Sequence, residues 1–150
     1  MPVTMKQVLN TIDKDEPDYE AAARLGPEAL PHLQMIIEAD DPLRAAKAAY
    51  AATLIGGTDS KGVLQKAAEH HDPQVRIAVA HGLRHSADPA RVQVLRALLG
   101  DADAGVRKVT LASAGPLAET DLREKISAMA EKDPEEYLRT AAKTAMHKPK

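Results

Sequence analysis

Few side chains in this sequence are spaced for chemistry. His81 and His85 stand four apart, which puts two imidazoles on one face of a helix and suits a shared zinc ion. A zinc site needs further ligands, and a metalloprotease helix needs a glutamate right after the first histidine, where Gly82 stands. His70 and His71 close the preceding predicted helix, so in an antiparallel pair they meet the start of the His81 helix, not its end. No metal site is expected, and these histidines, with His32 and His147, read as solvated or capping groups. Carboxylates cluster at Asp13, Asp15, Glu16, Asp18 and Glu20, and again at Glu131, Asp133, Glu135 and Glu136. Both clusters flank predicted helix starts, where negative charge favours the helix dipole. The chain has no Cys, which excludes disulfides, thiol catalysis and thiolate metal sites. There is no Ser-His-Asp arrangement, glycine-rich phosphate loop or dinucleotide fingerprint. Neither a catalytic residue nor a cofactor is expected.

What remains is an architecture. Of 150 residues 44% are hydrophobic, yet Phe and Trp are absent and the aromatic side chains are Tyr19, Tyr50 and Tyr137. The core must be Ala, Leu, Val, Ile and Met, which favours closely packed helices over a sheet. Net charge is −2, too balanced for a general nucleic-acid binder. The balance is uneven: residues 1–75 carry 12 acidic and 7 basic side chains, residues 76–150 carry 10 and 13. No apolar run approaches the roughly 20 residues of a membrane span. Residues 1–10 lack the apolar stretch of a signal peptide, so a cytoplasmic location is expected.

A period of about 31 residues organises the chain. Asp41-Pro42-Leu43-Arg44, Asp72-Pro73-Gln74-Val75-Arg76, Asp103-Ala104-Gly105-Val106-Arg107 and Asp133 through Leu138-Arg139 repeat one phrase, with the arginines 32, 31 and 32 apart. Between them Leu33, Leu64, Leu95 and Ile126 recur every 31 residues, each followed at three and four positions by further apolar residues. That stripe is the inward face of an amphipathic helix. Each unit reads as two helices: an A helix opened by an Asp cap and a proline at its first position, then a B helix carrying the Leu column. Helices are predicted over 4–13, 17–25, 28–39, 42–55, 59–70, 73–85, 89–99, 104–114, 119–131 and 134–146, with Asp88-Pro89 opening the seventh. A two-helix unit cannot bury its apolar face alone, so neighbours must stack into a right-handed α-solenoid of four to five repeats. One repeat domain is expected over 1–150, with 1–13 an extra helix, 17–146 the repeats and 147–150 a frayed tail.

The Asp-Pro-x-Val-Arg phrase, the Ala-rich helix after it and a B helix such as Gly26-Pro27-Glu28-Ala29-Leu30-Pro31 resemble HEAT-like repeats, in the short form of phycobilisome lyases. The resemblance covers residues 17–146. It is specific for fold and nearly silent on function, because the repeat serves many partners. It departs at Asp18, where an arginine would fall in a capping first unit, and at Lys47, where a small apolar residue is usual.

Recurrence at one repeat position gives Arg44, Arg76, Arg107 and Arg139 a structural role: each is expected to pair with an Asp cap of a neighbouring layer, drawn from Asp41, Asp72, Asp103 and Asp133. In solenoids of this kind the B helices line the concave side. There the positions around the core column vary: Gln34, Met35, Gln65, Lys66, Arg91, Gln93, Arg96, Arg123 and Ser127 are the candidate partner-binding residues. The leading functional expectation is a non-catalytic scaffold that presents this face to a protein or peptide partner. Without Trp or Phe as anchors, its affinity should be modest and salt-sensitive. The resemblance also implies a subunit of a phycobilin-lyase-like enzyme, or a nucleic-acid-binding relative, although few aromatic rings are available to stack on a bilin or a base. Self-association through the Ala-rich end helices is a further expectation.

Overall fold

Residues 2–86, 89–117 and 121–147 are described by the structure, a computed structural model. Among them helix follows helix and no strand forms. The first helix, α1 (Met5–Ile12), starts at a capping box in which Thr4 Oγ1 accepts from the Gln7 N–H while Gln7 Oε1 accepts from the Thr4 N–H. A short α2 (Tyr19–Arg24) follows, capped by Asp18. The remaining helices are α3 (Leu30–Glu38), α4 (Pro42–Ile55), α5 (Lys61–Ala68), α6 (Pro73–Leu83), α7 (Arg91–Leu99), α8 (Ala104–Ala114), α9 (Arg123–Lys132) and α10 (Glu136–His147). Asp41, Asp72 and Asp103 each accept a backbone N–H of the first turn of α4, α6 and α8. Two B helices are entered through a 3-10 turn, Pro27–Ala29 and Thr58–Ser60, set up by Gly26 (φ 75°) and by Gly56 and Gly57 (φ 63° and 81°). Asp88, predicted to cap the seventh helix, and residues 148–150 of the predicted tail lie outside the described residues; α7 itself begins at Arg91 and α10 runs through His147.

The helices alternate between two rows, and the fold is an α-solenoid. The A row is α2, α4, α6, α8 and α10; the B row is α3, α5, α7 and α9. The B helices α5 and α7 lie against the A helices on either side of them in sequence, while α3 packs mainly on α4 and α9 on α10. The expected B-helix column is inside: Leu33, Leu64, Leu95 and Ile126 are all buried. One apolar core runs from Val8 and Ile12 to Ala142.

The A row is held close by small residues. Ala45, Ala48, Ala49, Ala51 and Ala52 of α4 are fully buried. Gly82 of α6 faces Thr53 of α4 so closely that an added Cβ would fall 1.9 Å from Thr53 Oγ1. Two residues before Gly82, the Ala80 carbonyl of α6 accepts from the buried Ser113 hydroxyl of α8 at 2.7 Å.

The arginine phrase does not keep one register along this row. In α6 and α8 the arginine sits four residues after the cap, and the aliphatic residue before it, Val75 or Val106, is fully buried. In α4 one residue is missing between cap and arginine. Arg44 therefore takes the place of Val75, and Leu43 takes that of the exposed Gln74. A one-residue shift turns a helix position by about 100°, and Leu43 is accordingly 69% exposed. At the other end, the Arg139 N–H bonds the Glu135 carbonyl, the pattern Arg107 makes with Asp103. Glu135, not Asp133, therefore holds the cap position of α10.

Candidate partner-binding face

The arginines of the A row decide what is structural. Arg107 reaches Asp133 with Nε and Nη2 at 2.9 and 3.1 Å, and its Nη1 bonds the Asp101 carbonyl at 3.0 Å. Arg76 repeats this one unit earlier: Nε and Nη2 meet Asp101 at 2.8 and 3.1 Å, and Nη1 bonds the His70 carbonyl. Arg139 bonds the Asp133 carbonyl in the same manner. One aspartate therefore binds two arginines, its carboxylate taking the guanidinium of the preceding repeat and its carbonyl that of its own. Both carboxylates also accept the backbone N–H two residues on, Asp103 for Asp101 and Glu135 for Asp133, at 2.9 Å.

Arg107 meets Asp133, one of the aspartates expected to pair across layers, and the expected pairing with Asp72 and Asp103 is corrected here. Asp72 and Asp103 are occupied as caps, and the carboxylates that take arginine lie two residues before the cap position, at Asp101 and Asp133. His70 stands at this position in the unit before. Its Nδ1 accepts the Asp72 N–H at 3.0 Å and its Nε2 meets the Ile37 carbonyl at 3.2 Å, tying the turn to α3. Arg44, displaced by the register shift, turns back to Asp13 at 3.1 Å and stands 4.0 Å from its own cap, Asp41.

Burial separates these pairs. Arg107 and Asp133 keep 11% and 3% of their side-chain surface, while Arg44 and Asp13 keep 43% and 40%. Burial alone would raise the Asp133 carboxyl, but the Arg107 guanidinium, the Glu135 N–H and the charge of Arg139 hold it below its ordinary value. The same hydrogen bond raises Arg107, against the opposing effect of its burial.

The B row is built differently. Successive B helices meet at few positions, and grooves open between them. Between α7 and α9 lies a groove of about 640 Å³ walled by Arg96, Arg123, Glu124, Ser127, Glu131 and Lys132. Between α5 and α7 lies one of about 360 Å³ that holds Gln65, Glu69 and Gln93 above Val94, Ala97 and Leu98. Of the residues selected from the sequence, Gln65, Gln93, Arg96, Arg123 and Ser127 thus share this groove system. Gln34 and Lys66 instead bind Glu38, at 3.1 and 3.7 Å, and Met35 stands 63% exposed beside them. Arg91 is apart from the grooves: its guanidinium bonds the Ser86 carbonyl and lines a small cleft with Leu64 and Leu83. Arg96 spends one guanidinium N–H on the Asp121 carbonyl at 2.6 Å, which fixes it at the groove mouth.

A second column went unread in the sequence. Tyr19, Tyr50 and His81 occur every 31 residues on α2, α4 and α6 and stack in series, with ring centroids 4.6 and 5.6 Å apart. Burial, with Tyr50 alongside, raises the Tyr19 hydroxyl above its ordinary value. His85 meets His81 edge-on at 6.5 Å, so this pair of histidines extends an aromatic stack. Among the described residues no group of three His, Asp or Glu is placed to hold a metal ion.

The chain matches the family model of HEAT repeats over residues 30–115 and again over 61–147, one repeat further on. The protein belongs to the HEAT-repeat family. No curated protein matches it. In HEAT-repeat terms the A row carries the Asp–Arg stacking contacts, while the B row lines its grooves with polar and charged side chains, joined by Val94, Ala97 and Leu98 in the α5/α7 groove. No helix among the described residues is long and apolar enough to cross a membrane.

Proposed function

We propose that this HEAT-repeat chain is a non-catalytic scaffold of the cytoplasm that binds an extended protein or peptide segment along the B row. The observation that carries this reading is the pair of consecutive grooves, α5/α7 and α7/α9, that run across the repeats with Gln65, Gln93, Arg96, Arg123 and Ser127 on their walls. The polar walls suit main-chain and polar side-chain contacts, and Val94, Ala97 and Leu98 add an apolar patch in the α5/α7 groove, while the mixed charges of Arg123, Lys132, Glu124 and Glu131 favour a partner that carries both signs. Binding is expected to be weak and to weaken further with salt. The described residues lining these grooves include no aromatic ring on which a tetrapyrrole or a base could stack.

A photo-crosslinking residue at Ser127, expressed in the source cells, tests this reading. Adducts to another protein are expected at Ser127, and they should disappear when Arg96 and Arg123 are both changed to Glu. Adducts that survive both reversals would place the partner elsewhere.

A further inference from the structure

Along the A row one cleft lies past the ends of α4 and α6, lined by Leu54, Ile55, Thr58 and His85, and an apolar one lies between the last two A helices. Between α8 and α10 a groove of about 410 Å³ opens, lined by Lys108, Leu111, Ala112, Tyr137, Ala141 and Ala145 among others. Its cause is visible in the repeat. Ala112 lies 31 residues after His81, so the column of rings filled by Tyr19, Tyr50 and His81 ends in a methyl group. The walls are apolar, and among the described lining residues Lys108 carries charge and no carboxylate does.

The matching shape lies on the same chain. At the corner between α3 and α4, residues 38–43 are all exposed, including Glu38, Asp40 and Asp41. The register shift of α4 leaves Leu43 standing out of this corner, where the next two repeats carry Gln74 and Gly105. Among the described residues the large apolar side chains left exposed are Met35 and Leu43, which flank this corner, and Tyr137, which lines the groove. Charge agrees with shape at the contact itself: Asp40 stands exposed at the corner, and Lys108 stands exposed on the groove wall.

We infer that the α8/α10 groove receives the α3–α4 corner of a second copy of this chain, with Leu43 seated among Ala112, Tyr137 and Ala141 and Asp40 facing Lys108. Corner and groove are different surfaces, so the contact is head-to-tail and does not close at a dimer. It buries a small area and is strengthened by charge, so assembly is weak and is greatest at low salt.

Sedimentation velocity on the full chain, up to about 1 mM at low salt, reads this directly. The average mass is expected to exceed twice that of one chain and to fall towards one chain at high salt. Leu43→Glu and Ala112→Glu each abolish assembly; both sites are exposed, so circular dichroism melts should stay unchanged. Mixed together, the two variants should form a one-to-one pair and grow no further, since one keeps its groove and the other its corner. Asp40→Lys should restore assembly to a chain carrying Lys108→Glu. A wild-type chain that stays single throughout, a single variant that still assembles, or a mixture that fails to pair would each overturn the inference. No outside partner is needed, so failure here leaves the B-row reading untouched.

Discussion

In the A row, α6 lies so near α4 that a single methyl group at Gly82 would collide with Thr53; in the B row, α7 and α9 stand far enough apart to hold about 640 Å³ of open space. One repeat builds both. The A helices meet through Ala, Gly and Ser and are bolted turn to turn by arginine, whereas the B helices reach the core with Leu, Ile and Met and extend long polar side chains beyond it. The contrast places the stabilising contacts in one row and leaves the other as the row proposed for recognition.

The largest effect is expected at the most enclosed bolt. Asp133→Ala leaves Arg107 nearly buried without its carboxylate and should cost about 3–5 kcal/mol in urea unfolding. A loss under about 1 kcal/mol would show that the pair is no more than a surface contact. The pH dependence has a fixed sign. The folded carboxyl lies below its ordinary value of 3.8, so its stabilisation is complete above that value and is lost as pH falls through the folded one. Asp133→Asn should remove this part of the acid sensitivity.

Next comes helix spacing. Gly82→Ala should destabilise by about 1–3 kcal/mol through overpacking. Thr53→Ala in the same chain should recover part of that loss, and additive effects would mean the two helices do not meet where the structure places them.

Much of this was legible in the sequence because caps, breakers and the Leu column all report on local geometry. Asp41-Pro42 and Asp72-Pro73 start α4 and α6 where they were expected, and the four column residues are all inside. The bolts were harder to read. Counting from arginine to arginine equated Arg44 with Arg76 and Asp133 with Asp103, yet a helix places residues by their distance from the cap, and both equations slipped. Asp101 as the acceptor for Arg76 depends on how one turn stacks on the next, which no spacing within a repeat reports. The ring column was present at the repeat period but changes from Tyr to His at residue 81, so it escaped a search by residue type. Arg91 shows the reverse case: its position in the B helix suggested a free cation, and only the fold brings the Ser86 carbonyl to it.

Arg44 sharpens the contrast within the A row. Its pair with Asp13 is as short as some contacts in the buried bolts, but both partners are about two-fifths exposed. Arg44→Ala should therefore cost at most about 1 kcal/mol, and the loss should vanish in concentrated salt. A cost rivalling that of Asp133→Ala would mean that the direction of the bolt matters more than its burial.

The smallest expected stability effects lie in the B row, and their smallness is informative. Gln93 and Arg123 project from α7 and α9 into the grooves, both exposed, with no core contact to lose. Gln93→Ala and Arg123→Ala should shift the unfolding free energy by less than about 0.5 kcal/mol each. If the row is a recognition surface, the same two changes should reduce crosslinking from Ser127 several-fold while thermal melts superimpose on those of the unmodified chain. Were either substitution to destabilise the fold as Gly82→Ala does, the B row would be a second spine, and the division of labour between the rows would have to be abandoned.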